Sequence, residues 1–228
     1  RQIVDLPMEE QRQFISLKNK LLDVMWTMTS IEREQNALPI RIPLLKGLFG
    51  YRVLVIRKNQ QNEFAAISQL EQLKKLTAIQ GYGWADVDIL QQNGFKVDVS
   101  AWYSSIYKSL DAGFYHYYPR SVLEAWSELE QYQYGGLMID EGHLLIYPTA
   151  IYFFVDKNNT LLAERLTYGL QQAIADGSFE QHFKQFPQHI DALQKISSQT
   201  MQRHYIPNPI LPDATPLQDK NLWFQFEN

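Results

Sequence analysis

The middle third of the chain alternates strand-like and helix-like runs at a spacing that leaves few folds open. Thr77 to Gln80 reads as a strand, and Gly81-Tyr82-Gly83 turns from it into a helix that stops near Gly94. Phe95 to Val99 alternates as a half-buried strand, Ser100 can cap the next helix and Gly113 can end it. Tyr115 to Tyr118 is another short strand, after which Pro119 starts a helix with Val122, Trp126 and Leu129 on one side. Strand–helix–strand repetition of this kind predicts βαβ units and a largely parallel sheet. Two long apolar runs flank it, Gly47 to Lys58 and Leu144 to Val155. The first is long enough to leave one sheet and enter another.

The flanks follow the same logic. Pro7 with Glu9 and Glu10 resembles a helix start, with Phe14, Leu17 and Leu21 on one face. Asp23 to Met28 reads as a strand, and Thr29 with Glu32 fits a capping box, as does Ser68 with Glu71. Leu162, Leu166, Leu170 and Ile174 are spaced for a helix that stops at Gly177, and two shorter helices follow, up to about Met201. The end holds Pro207, Pro209, Pro212 and Pro216 and then Leu222-Trp223-Phe224, which predicts an extended tail, either laid over a groove by its aromatics or loose.

Composition narrows the function. Across 228 residues, 45 % are hydrophobic and 20 % charged, which supports packed cores and excludes disorder. A net charge of −4 supplies no basic field for a polyanion, so nucleic acid is not an expected partner. The lack of cysteine removes disulfides, thiol nucleophiles and thiolate metal sites together. The densest apolar run is broken by Pro148 and Thr149 and is too short to span a membrane. There is no nucleophile elbow, Walker lysine loop, His-Glu-x-x-His or EF-hand loop, and the five histidines are scattered, so neither catalysis, a metal nor a cofactor is expected. Glu124, Asp86 and Glu141 are the acids an enzyme would have to use, and none has a recognisable partner.

Three strand-to-helix turns carry the remaining chemistry. Thr27-Met28-Thr29-Ser30-Ile31-Glu32-Arg33 offers hydroxyls, helix amides and a guanidinium that suit a carboxylate, or else an ordinary N-cap beside a surface arginine. Gly81-Tyr82-Gly83-Trp84 can present backbone amides to an anion or form a tight turn closed by a packed tryptophan. In Tyr117-Tyr118-Pro119-Arg120-Ser121, a first helical turn is an unfavourable place for a cation, which marks Arg120 as a ligand contact, as half of an ion pair with Glu124, or as both. Trp26, Tyr82, Trp84, Tyr117 and Tyr118 adjoin these turns and suggest an aromatic cleft, although core packing is the commoner role of any one of them.

Leu22 to Arg33, then Gly47 to Lys58, then Leu162-Ala163-Glu164-Arg165-Leu166 through Gly169-Leu170 to Asp176-Gly177-Ser178-Phe179 resemble the bacterial extracellular solute-binding proteins of family 3, the amino-acid-transporter branch. The resemblance covers roughly residues 8 to 190. It implies an α/β, two-lobed, type 2 periplasmic-binding-protein fold, with residues 1–53 and 149–205 in the first lobe, 54–148 in the second and 206–228 as the tail. The first lobe apparently lacks its N-terminal strand and helix. Arg33 matches the arginine that binds the ligand's α-carboxylate, with Thr27, Thr29 or Ser30 as adjoining donors. Gly81 to Trp84 match a second-lobe turn that donates amides. Near Arg120 and Ser121 the family places an aspartate for the ligand's ammonium. Here an arginine stands at or beside that position, which implies a more anionic solute such as a dicarboxylate or an acidic sugar.

The function so read is extracytoplasmic binding of a small, carboxylate-bearing solute between hinged lobes, in the periplasm or outside the cell, with a membrane permease or a receptor as partner. The alternatives are a diverged interaction module that uses the aromatic cleft or the tail to hold a protein or glycan, and, third, an enzyme.

Overall fold

The computed structural model describes residues 10–132, 135–198 and 200–226. The expected helix start at Pro7 and Glu9 lies outside these residues. The chain runs α1 (Glu10–Lys18), β1 (Met25–Met28), α2 (Ile31–Asn36), β2 (Leu38–Ile40) and, after a short 3-10 turn, β3 (Tyr51–Arg57). Then come α3 (Gln61–Ala65), α4 (Leu70–Leu73), β4 (Thr77–Gly81), α5 (Ala85–Gln92), β5 (Lys96–Ser100), α6 (Tyr103–Asp111), β6 (Tyr117–Ser121), α7 (Ala125–Tyr132) and β7 (Leu137–Ile146). The return passes through β8 (Ile151–Val155), α8 (Thr160–Ala175), α9 (Ser178–Gln185), α10 (Pro187–Ser198) and β9 (Gln202–Tyr205).

Two sheets form. The smaller has the order β1-β8-β2, with both ladders antiparallel; the larger has the order β5-β4-β6-β3-β7-β9. In the larger sheet β5, β4 and β6 run parallel, β3 pairs antiparallel with β6 and β7, and β9 joins β7 in parallel. The antiparallel pairs arise where the chain enters the second lobe on β3 and leaves on β7, since those two strands run in opposite directions between the lobes. β3 is central and covered on both faces: Val53 and Val55 join one cluster with Ile106, Tyr107 and Leu110 of α6, while Leu54 and Ile56 join another with Phe64, Ile89 and Leu90. Burial on both faces is why Val53 to Ile56 is continuously apolar and does not alternate.

The connections between sheets run through Ile40 to Tyr51 and Ile146 to Ile151, and they lie side by side, with Leu44 donating its N–H to Ile151 O at 2.9 Å. Tyr147 donates its N–H to Gly50 O at 3.2 Å, and Thr29 its N–H to Ala150 O at 2.8 Å. A β-carbon on Gly50 would overlap the Tyr147 carbonyl oxygen, so only glycine lets the two connections pass this closely.

Several sequence expectations are corrected. Leu21 is 72 % exposed, because α1 stops at Lys18 and the chain turns through Lys20 at φ 58°. Ser30, not Thr29, caps α2, accepting from Arg33 N at 3.2 Å, while Thr29 Oγ1 donates to Glu34 Oε1 at 2.8 Å. Gln69 with Gln72 forms the capping box expected of Ser68 and Glu71. Pro119 does not open a helix: it lies within β6 opposite Leu54, and α7 begins six residues later at Ala125. Residues 149–205 do not all return to the first lobe, since β9 completes an edge of the larger sheet beside β7.

Candidate functional site

A cleft of about 320 Å³ lies between the lobes. The first lobe lines it with Phe14 and Ile15 from α1 and with Ser30, Glu32, Arg33 and Asn36 at and along α2; the second lobe contributes Gly83, Ala85 and Asp88. Ile210 of the tail completes the wall. Both lobes present their pieces for a local reason. β1 ends at Met28, Ser30 adopts extended backbone as a cap, and α2 sets Arg33 and Asn36 three residues apart on one face. β4 ends at Gly81, the chain reverses through Gly83 at φ 76°, and α5 carries Ala85 and Asp88 on one face.

Arg33 is anchored within its own lobe, its Nη1 donating to Met28 O at 2.8 Å. The cleft therefore holds one guanidinium beside two acids, Glu32 and Asp88, with Ser30 and Asn36 as neutral hydrogen-bonding groups. This mixture suits a small molecule with a carboxylate at the arginine and a donor-rich or cationic part elsewhere.

Of the residues singled out in the sequence, Ser30, Arg33 and Gly83 line the cleft. The others are placed elsewhere. Thr27 and Thr29 are buried at the end of β1. Gly81 is covered by the Trp84 indole so closely that a β-carbon would clash with it, which is the packed-tryptophan form of that turn. Tyr82 is 71 % exposed, Tyr118 is fully enclosed in the core, and Ser121 is buried at the end of β6. No common aromatic wall forms, since Trp26 is 61 % exposed on β1 while Tyr117 packs against Phe64.

Arg120 makes the ion pair that its sequence position suggests, and more. Its Nη2 lies 2.9 Å from Glu124 Oε1 and 2.7 Å from Glu128 Oε1, and its Nε donates to Glu128 Oε2 at 2.9 Å. The guanidinium also lies 4.9 Å from the Trp84 ring centre and 5.6 Å from that of Tyr103. Burial opposes the charge on Glu128, yet the Arg120 hydrogen bonds outweigh it and hold the carboxyl below its ordinary range; Glu124 is pushed up by burial. Two carboxylates thus answer the charge of Arg120 inside the second lobe, and it does not line the cleft.

Asp86 is likewise engaged. It pairs with Arg52 at 2.7 Å and accepts a hydrogen bond from Tyr147 OH, with Arg52 stacked 4.5 Å from the centre of Phe49. Arg52 and Asp86 are both almost wholly buried. Four of the five histidines act as hydrogen-bonded core or turn residues: His143 bridges His204 and Phe64 O, His189 bonds Phe183 O, and His116 accepts from Thr77 N. Among the described residues no cluster of three or more potential metal ligands forms, and no helix is long and apolar enough to cross a membrane.

Sequence reasoning missed Glu32, Asn36, Asp88 and Ile210. The first three were within reach: Glu32 and Asn36 flank Arg33 on a six-residue helix, and Asp88 lies one turn into the helix that follows Gly83. Ile210 carries no local signal, because only the path of the tail brings it to the cleft.

No family model and no curated protein matches the sequence. Solved structures match the fold. An ancestral arginine-binding protein bound to arginine is similar over 80 % of this chain and 79 % of its own, at 18 % identity and a TM-score of 0.60. An amino acid ABC transporter substrate-binding protein from Streptococcus pneumoniae, bound to L-arginine, is similar over 78 % and 73 % at 15 % identity, with a TM-score of 0.61. A histidine kinase sensor domain with similarity to periplasmic binding proteins is similar over 75 % and 72 % at 15 % identity, with a TM-score of 0.56. The protein has the two-lobed type 2 periplasmic-binding-protein fold.

Proposed function

We propose that the protein binds a small solute in the cleft between its lobes and performs no chemistry on it, serving transport or sensing outside the cytoplasm with a permease or a receptor as partner. The observation that carries this reading is the convergence of Arg33 and Ser30 from one lobe with Gly83 and Asp88 from the other on a single 320 Å³ space. Clefts of that size between α/β lobes are where such folds take small ligands. The solute bears a carboxylate, met by Arg33. A strongly anionic solute loses its second anchor, because Glu124 and Glu128 already neutralise Arg120. With Glu32 and Asp88 also at the cleft, a zwitterion fits better than a dicarboxylate. The structural neighbours that hold arginine point the same way by analogy of fold.

The test is a thermal-shift screen of amino acids, dicarboxylates and acidic sugars. A ligand at 100 times its Kd stabilises the native state by about 2.7 kcal/mol, a shift of several degrees. Arg33→Ala should abolish the shift, and because it also removes the hydrogen bond to Met28 O it should lower the unliganded melting temperature by a few degrees, leaving the protein folded for the comparison. A screen that stays silent throughout, with a protein or glycan binding instead, would replace this reading with the interaction module.

A further inference from the structure

The tail is neither loose nor confined to one lobe. It leaves β9 in the larger sheet, where Ile206 N donates to Ile146 O at 2.9 Å and Asn93 Nδ2 donates to Pro207 O at 2.9 Å. At the connection between lobes, Asn208, 8 % exposed, donates from Nδ2 to Pro148 O at 2.8 Å. The same side chain accepts from Ile210 N at 3.2 Å, and the Asn208 carbonyl accepts from Leu211 N at 3.2 Å, closing a turn. Ile210 then reaches the first lobe, its carbonyl accepting from Ile31 N at 2.9 Å. Ile206 and Ile210 pack in one apolar cluster with Met28 of the first lobe and Ala85 and Ile89 of the second.

The tail then comes back. Trp223 packs on the smaller sheet's core and against Gly47, and Phe224 N donates to Lys46 O at 2.7 Å. Phe224 and Phe226 stack around Tyr51, and Arg203 of β9 lies 3.5 Å from the centre of the Phe226 ring. One strand of chain therefore crosses from the second lobe to the first and returns across the hinge. Pro207, Pro209, Pro212 and Pro216 fix φ at four of its positions, so the segment loses little conformational entropy when it is laid down.

We propose that residues 206–226 are a latch that holds the two lobes together, so that opening of the cleft requires release of the tail from α2. This goes beyond the solute reading, since it concerns how the cleft opens whatever enters it. The two covalent connections lie together at the hinge; the tail adds hydrogen bonds and a shared apolar cluster that must be given up before the lobes part.

Hydrogen exchange on the unaltered protein tests the latch directly. The Ile31, Ile210 and Leu211 amides should show one common protection factor, each rate taken against its intrinsic value, because a single opening exposes all three. Asn208→Ala should speed Ile31 and Leu211 by about tenfold, the loss of roughly one well-made buried hydrogen-bonding group, while Ile210, whose acceptor is the Asn208 side chain itself, loses its protection outright and is left out of that comparison. Because the chain has no cysteine, Gln91→Cys and Glu164→Cys can carry a fluorophore pair on exposed helix positions of the two lobes. In that background Asn208→Ala should lengthen the mean distance between lobes. Ile31 exchanging independently of Ile210 and Leu211 would overturn the latch, as would a tail loosened with no change in lobe separation. Both readouts are taken without solute, so a silent ligand screen leaves the latch standing, and a failed latch leaves the cleft to its own test.

Discussion

Replacing Gly50 with alanine perturbs the point where the two connections between lobes pass each other. The new methyl group would overlap the Tyr147 carbonyl oxygen and approach Thr149 Oγ1 to 2.9 Å and Thr149 Cβ to 3.0 Å. The first obstacle is backbone, which cannot swing away as a side-chain end can. Separating the segments sacrifices the Tyr147 N–H to Gly50 O bond, worth about 1 kcal/mol, and overpacks a site where Leu48 and Tyr147 are buried, at about 2 kcal/mol more. Together that is about 3 kcal/mol, and unfolding entropy of about 2.1 cal/mol/K per residue makes it a fall in Tm of about 6 °C for a chain of this length. The control is the same chemical change at Gly169, where a β-carbon meets nothing within 4 Å inside α8. There, alanine should raise stability by up to about 1 kcal/mol through its helix propensity. Thermal unfolding followed by circular dichroism measures both variants. If Gly50→Ala melts within 1 °C of the parent protein, the close crossing is not what requires glycine, and the reasoning fails.

Other outcomes follow from the buried charges. Asp86→Ala leaves Arg52 charged and enclosed and should cost about 3–5 kcal/mol in urea unfolding, whereas Arg52→Met with Asp86→Leu should cost clearly less than the single change; equal losses would contradict a desolvation origin. Glu128→Gln removes the charge that two Arg120 hydrogen bonds meet and should cost about 1–3 kcal/mol, and a neutral effect would show that Glu124 alone suffices. His204 is held below its ordinary pKa first by burial and then by His143 beside it, so the unfolded chain takes up its proton first. That contribution to stability is intact above about pH 6.5 and declines as the pH falls through and below that value. Glu124, raised by burial, titrates in the opposite sense, so the test compares the urea midpoint at pH 7.5 and 5.5 for the parent and for His204→Gln; equal slopes would discount the pair.

Much of the fold is legible in the sequence because it is local. The period of Leu162, Leu166 and Leu170, the stop at Gly177 and the turn through Gly83 depend on backbone geometry and one-sided burial, which neighbouring residues settle among themselves. Pro119 misleads for the same reason. A proline followed by helix formers looks like a helix start, yet β6 accommodates it because β4 pairs with that strand near its beginning, at Tyr117, and the Gln80 side chain donates to the Pro119 carbonyl beyond that point.

The candidate site divides along that line. Residues 25 to 33 and 77 to 88 by themselves determine two strand-to-helix turns and therefore which side chains sit at their tips. Tertiary structure alone decides that Arg33 faces the opposite turn, that Arg52 on β3 meets Asp86 on α5, and that Ile210 enters the cleft wall. Charge pairing and cleft lining depend on distances between segments far apart in the chain, and those distances exist only once both sheets have packed and the tail has been drawn across them.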